Sequence, residues 1–77
     1  MQRQRLHDLD ALRDLARDTG LDVHLPFGHA PFVRGALGRE VSKRNAVPGY
    51  DLWVDGRPST FDVSRDRAVR FLAGGAT

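Results

Sequence analysis

The run from Tyr50 to Val63, Tyr-Asp-Leu-Trp-Val-Asp-Gly-Arg-Pro-Ser-Thr-Phe-Asp-Val, leaves the chain few conformations to choose from. Two segments rich in β-branched and aromatic residues flank Asp55-Gly56, a dipeptide that accepts the two positive φ angles of a type I′ turn. The pattern predicts a β-hairpin with arms at residues 50–54 and 57–63. Pro58 has no amide proton to give a ladder, which places the second arm at a sheet edge. A lone hairpin is marginal in water, so the rest of the chain must supply further strands and a helix to cover one face.

The N-terminal part supplies the helix. Leu6, Leu9, Leu12 and Leu15 recur every third residue beside Ala16, while His7, Asp10, Asp14, Arg17 and Asp18 fall on the opposite side. Asp10 with Arg13 and Asp14 with Arg17 are opposite charges at i,i+3. Thr19-Gly20 stops the helix. Leu21 to Leu25 then alternates apolar and polar, a half-buried strand ended by Pro26, and residues 26–31 form a stiff loop. Residues 32–34 and 39–44 read as extended segments joined through Gly35 and Gly38, against the alternative of a short helix after Pro31. Ser64 is an N-cap for a final short helix with Ala68, Val69, Leu72 and Ala73 inward, and Gly74-Gly75 ends it.

These elements predict an α+β fold. A small antiparallel sheet of three or four strands is packed by an N-terminal amphipathic helix and a short C-terminal helix, in one domain over residues 1–73 with a flexible tail at 74–77. The expected core is Leu9, Leu12, Ala16, Val23, Leu25, Val33, Leu52, Phe61, Val69 and Leu72. Hydrophobic residues at 40% and charged residues at 29% are a composition that folds rather than one that stays disordered.

The absence of cysteine removes disulfides, thiolate nucleophiles and thiolate metal sites, and a reducing cytoplasm is the expected location. The first residues lack the apolar core of a secretion signal, and nothing approaches the ~20 apolar residues of a membrane span. No membrane association is expected.

Catalytic constellations are not assembled. Ser42, His24 and Asp22, or Ser59 and Ser64, provide the residue types of a triad without a nucleophile elbow. Asp22, His24 and His29 are too few for zinc, and Gly35 to Arg39 matches neither phosphate-loop nor dinucleotide spacing. No enzyme activity, metal, cofactor or small-molecule substrate is expected.

Charge distribution is more informative than the formal net charge of +2. Arg34, Arg39, Lys43 and Arg44 stand against Glu40 alone, and guanidinium groups donate paired hydrogen bonds to phosphates. With Arg57 they form the expected nucleic-acid-binding set of a small non-catalytic regulator. If residues 39–44 are a strand, alternation puts Arg39 and Lys43 on one face and Arg44 on the other. The alternative is a protein-binding module, an inhibitor or antitoxin-like or host-factor-modulating protein, that uses the hairpin edge with Phe27, Phe32, Tyr50 and Trp53. Tyr50 and Trp53 fall on opposite faces of their strand, and an outward Trp53 is also a stacking platform for a base. An uncovered edge strand is open to pairing with a second copy in a homodimer.

Strand, Asp-Gly turn, strand, Phe61, Ser64 cap and a helix ending Arg70-Phe71-Leu72 resemble the wing and last helix of small excisionase-like DNA-binding domains. The resemblance spans residues 50–73 only. Pro26, Gly28, Pro31, Gly35 and Gly38 interrupt the region where a helix-turn-helix would stand, and no functional residue is carried over.

Overall fold

The first helix starts later than the leucine repeat suggests, because Asp8 caps it by accepting the Ala11 backbone N–H at 3.0 Å. The computed structural model describes residues 6–75, so Met1 to Arg5 and the last two residues lie outside the described part. Helix α1 (Leu9–Thr19) buries Leu12, Leu15 and Ala16, with Leu9 half-buried. Leu6 is outside it and exposed, and His7 pairs antiparallel with Arg44 just past the end of a strand. There Asp8 N–H donates to the Lys43 carbonyl at 2.9 Å and Asn45 N–H to the Leu6 carbonyl at 3.0 Å. Of the two expected ion pairs along α1, Asp14 with Arg17 is formed.

Five strands follow: β1 (Val23–His24), β2 (Phe32–Arg34), β3 (Arg39–Ser42), β4 (Tyr50–Val54) and β5 (Arg57–Val63). They make one antiparallel sheet in sequential order, five strands where three or four were expected. The extended reading of residues 32–45 holds, in place of a helix. The hairpin is not a free wing of the excisionase kind: β4 lies between β3 and β5, with β5 at the edge where Pro58 requires it. Asp55 and Gly56 have φ of 51° and 80°, the two left-handed residues the turn needs. A second turn of this kind joins β2 to β3 through Leu37 (φ 59°) and Gly38 (φ 71°).

Helix α2 (Arg65–Leu72) is capped by Ser64, whose hydroxyl accepts the Arg67 N–H at 3.2 Å. Both helices lie on one face of the sheet, α1 over β1 and β2 and α2 over β3 and β4. Val23, Val33, Val41 and Leu52 form a cross-strand row beneath them. Tyr50, Val63, Ala68, Phe71 and Leu72 complete the core. An ion pair from Arg65 to Asp18 ties the start of α2 to the end of α1, and that hydrogen bond raises the guanidinium pKa above its ordinary value. Among the described residues no helix is long and apolar enough to cross a membrane.

Of the residues expected to face inward, Leu9 is only half-buried, and Leu25, Phe61 and Ala73, which lies just past the end of α2, are exposed. Leu25 is 61% exposed because β1 pairs over only two residues before Pro26 carries the chain away from the sheet. Phe61 is 46% exposed because the β4–β5 register shifts. Tyr50 pairs with Val63 and Leu52 with Thr60, so Phe61 and Asp62 together oppose Asp51. An extra residue reverses the alternation and turns Phe61 onto the far face. Asp62 adopts φ of 62° there, and Gly49 admits it: a Cβ at position 49 would stand 2.6 Å from the Asp62 Cα.

The β2–β3 turn docks on the C-terminal end of α2. Ala36 N–H donates to the Leu72 carbonyl at 3.0 Å, and Gly35 packs so close that a Cβ would stand 2.8 Å from the Leu72 Cα. In the expected tail, Gly74 and Gly75 donate to the Phe71 and Arg70 carbonyls at 3.0 and 2.8 Å. The other two tail residues, Ala76 and Thr77, lie outside the described part.

Candidate functional site

Because both helices cover the same side, no helix among the described residues covers the other side of the sheet, and its side chains follow from strand alternation. The pairings His24 with Phe32 and Ser42 with Asp51 define one row across it. Arg34, Glu40, Trp53 and Pro58, paired in succession, define the next. The bulge in β5 adds Phe61 beside Trp53.

Neighbours in these rows fix one another. The His24 and Phe32 rings stack with centroids 5.2 Å apart and planes at 9°, and the Arg34 guanidinium lies 5.2 Å from the Phe32 centroid. Arg34 donates through Nε and Nη2 to Glu40 Oε2, at 3.2 and 2.9 Å. Trp53 Nε1–H donates to Ser42 Oγ at 2.9 Å, and its ring meets Phe61 at 5.4 Å and a tilt of 50°. This is tilted aromatic packing of the attractive kind.

Arg44 joins the face from beyond β3. Its Nε and Nη2 donate to the two Asp51 carboxylate oxygens at 2.8 and 3.1 Å, and its guanidinium lies 5.6 Å from the Phe61 centroid. Asp51 is 2% exposed and also accepts the Asp62 backbone N–H at 3.1 Å, so its charge is matched rather than stranded. The hydrogen bond to Asp51 raises the Arg44 pKa above the ordinary guanidinium value, with the Coulomb attraction next.

A groove of about 480 Å³ runs along this face. Arg34, Glu40 and Ser42 line it together with Phe32 and Trp53. Pro26, His29 and Ala30 of the β1–β2 loop form its lip. Aromatic planes next to a carboxylate, a hydroxyl and a guanidinium suit a flat group that carries hydrogen-bonding edges.

The five cations expected to bind phosphate do not form one patch. Arg34 and Arg44 are on the uncovered face, and Arg57 is exposed at the start of β5. Arg39 points to the helix side, donating to the Phe71 carbonyl at 3.2 Å and to the Gly75 carbonyl, with its guanidinium 4.9 Å from the Phe71 centroid. It completes the C-terminal end of α2, where a cation offsets the helix dipole. Lys43 is 6% exposed; it donates to the carbonyls of Arg44, at 3.1 Å, and of Val47, and sits 3.9 Å from Asp8. These two cations hold the fold together rather than facing outward.

Of the residues expected to contact a protein, Phe32 and Trp53 are half-buried on the uncovered face and Phe27 is fully exposed at the β1–β2 loop. Tyr50 is instead in the core, 7% exposed, because it pairs with Val63 on the covered side. His24 is committed to its stack on Phe32 and His29 to the groove lip. Among the described residues no three His, Asp or Glu side chains stand close enough to hold a metal ion. Sequence reasoning left Glu40 out of the site, weighed Ser42 only as a triad residue and put Phe61 in the core; alternation in residues 39–44 contained the signal for the first two, whereas nothing local announces the bulge that turns Phe61 outward. Set against known protein families, curated proteins and solved structures, the chain matches none of them.

Proposed function

We propose that this chain is a small non-catalytic, nucleic-acid-associated regulator that lays the uncovered face of its sheet against a single strand. The observation that carries the reading is that Phe32, Trp53 and Phe61 share with Arg34 and Arg44 the sheet face that neither described helix covers. Every base has a π-face, and stacking on an aromatic side chain contributes about 1–3 kcal/mol per base. A duplex keeps those faces stacked internally, so the platform favours unpaired bases. The cysteine-free composition supports a cytoplasmic location.

Charge sets the expected salt response. With Arg39 and Lys43 turned inward, Arg34, Arg44 and Arg57 remain for phosphates, and three contacts on a single strand give a log–log salt slope of about −2. Fluorescence anisotropy with a labelled single strand and the matching duplex tests this. Tighter binding of the single strand with that shallow slope is the expected outcome, and no binding at low ionic strength would remove the reading.

Phe27, fully exposed, with Leu25, 61% exposed, favours a second reading as a protein-binding module anchored by the β1–β2 loop. Under that reading Phe27→Ser abolishes a stoichiometric protein complex and leaves oligonucleotide affinity unchanged. The β5 edge is the place where a homodimer would pair, and light scattering measures it.

A further inference from the structure

Resting on the single-strand reading, we infer that the groove seats one unstacked base whose Watson–Crick edge bears an exocyclic amine next to a ring-nitrogen acceptor, cytosine or adenine, and selects it over thymine or uracil. Arg34, Glu40 and Trp53 are neighbours in one row on β2, β3 and β4, with the carboxylate in the middle. The outer two strands are two spacings apart, about 9.5 Å. The indole and the guanidinium therefore flank the carboxylate, and each is a plane on which one base can stack at about 3.5–4 Å. Guanidinium planes stack bases as aromatic rings do.

Both planes are held before any ligand arrives. Trp53 is fixed by its bond to Ser42 and by Phe61, and Arg34 by Glu40 and the Phe32 ring. Such preorganisation lowers the entropy cost of binding.

Glu40 and Ser42 read the base edge. Both contacts from Arg34 fall on Glu40 Oε2, so Oε1 keeps its lone pairs for another donor. An exocyclic N4 or N6 amine is such a donor, and Glu accepting from the cytosine amine is an established pairing chemistry. Ser42 accepts the indole N–H and retains its own proton, which suits the adjacent ring nitrogen. Thymine and uracil present a carbonyl oxygen where the amine would be, against a carboxylate. A cationic occupant is disfavoured, because Arg34 already balances the Glu40 charge.

The test uses the intact protein with an oligothymidylate and the same strand carrying one central cytosine or adenine. Trp53 is the sole tryptophan, so its fluorescence reports the groove directly. The substituted strands are expected to bind about tenfold tighter than the all-thymine strand, the scale of one good base-edge contact. Glu40→Gln should bring the three strands to equal affinity. Equal affinity of the wild-type protein for all three strands overturns base selection and leaves the single-strand platform standing. Failure of every strand to bind overturns both.

Discussion

The two faces of this sheet are made of the same five strands yet obey different rules. On the covered face Val33, Val41 and Leu52 are fully buried under two helices and interact by shape alone. On the uncovered face the residues one position along are His24, Phe32, Arg34, Glu40, Ser42, Asp51 and Trp53, and nearly every polar group among them is paired with another. A solvent-facing sheet needs no such arrangement, because surface ion pairs contribute at most about 1 kcal/mol each. Pairing holds the outer side chains in fixed positions, whereas burial holds the inner ones. The difference assigns stability to one face, and the proposal assigns recognition to the other.

Substitutions separate the two. The largest effect is expected on the covered face, where Leu52→Ala should cost about 2–5 kcal/mol in denaturant unfolding, a large share of a small domain's stability. Gly35→Ala comes next: the new Cβ meets the Leu72 backbone, the β2–β3 turn must part from α2, and a loss of about 1–3 kcal/mol is expected. Both changes should leave oligonucleotide affinity unaltered in whatever fraction remains folded. Trp53→Ala should behave in the opposite sense, with affinity for a single strand falling about 5- to 100-fold and the unfolding midpoint moving less than for Leu52→Ala. The smallest expected effects distinguish the two surface arginines. Arg44→Gln should lower the unfolding midpoint more than Arg34→Gln, since it deprives the 2% exposed Asp51 carboxylate of its partner, whereas Glu40 keeps more contact with water.

How far this division is legible in the sequence depends on whether local chemistry decides it. Asp55-Gly56 fixes its hairpin, Ser64 its helix start and Gly20 the end of α1, because each acts on the backbone within a few residues. Alternation along residues 39–44 separates Arg39 and Lys43 from Arg44, which is how the structure divides them. What alternation leaves open is the use of each face. Arg39 turns inward to carbonyls at and just past the end of α2 that lie 32 residues away or more in the chain, and no local pattern carries that information. Phe61 is misplaced by an alternation rule that a bulge interrupts, and the room for that bulge comes from Gly49 just before the neighbouring strand. Leu37 in a left-handed turn is equally silent in sequence, since leucine avoids that conformation by about 1–2 kcal/mol.

The most direct examination of the division between faces is an amide and indole NMR titration of the protein with a short single strand. Shifts gathered at Phe32, Arg34, Glu40 and Phe61, with movement of the Trp53 indole N–H that now donates to Ser42, are the expected result. Shifts gathered on α1 and α2, with the uncovered face undisturbed, would contradict it.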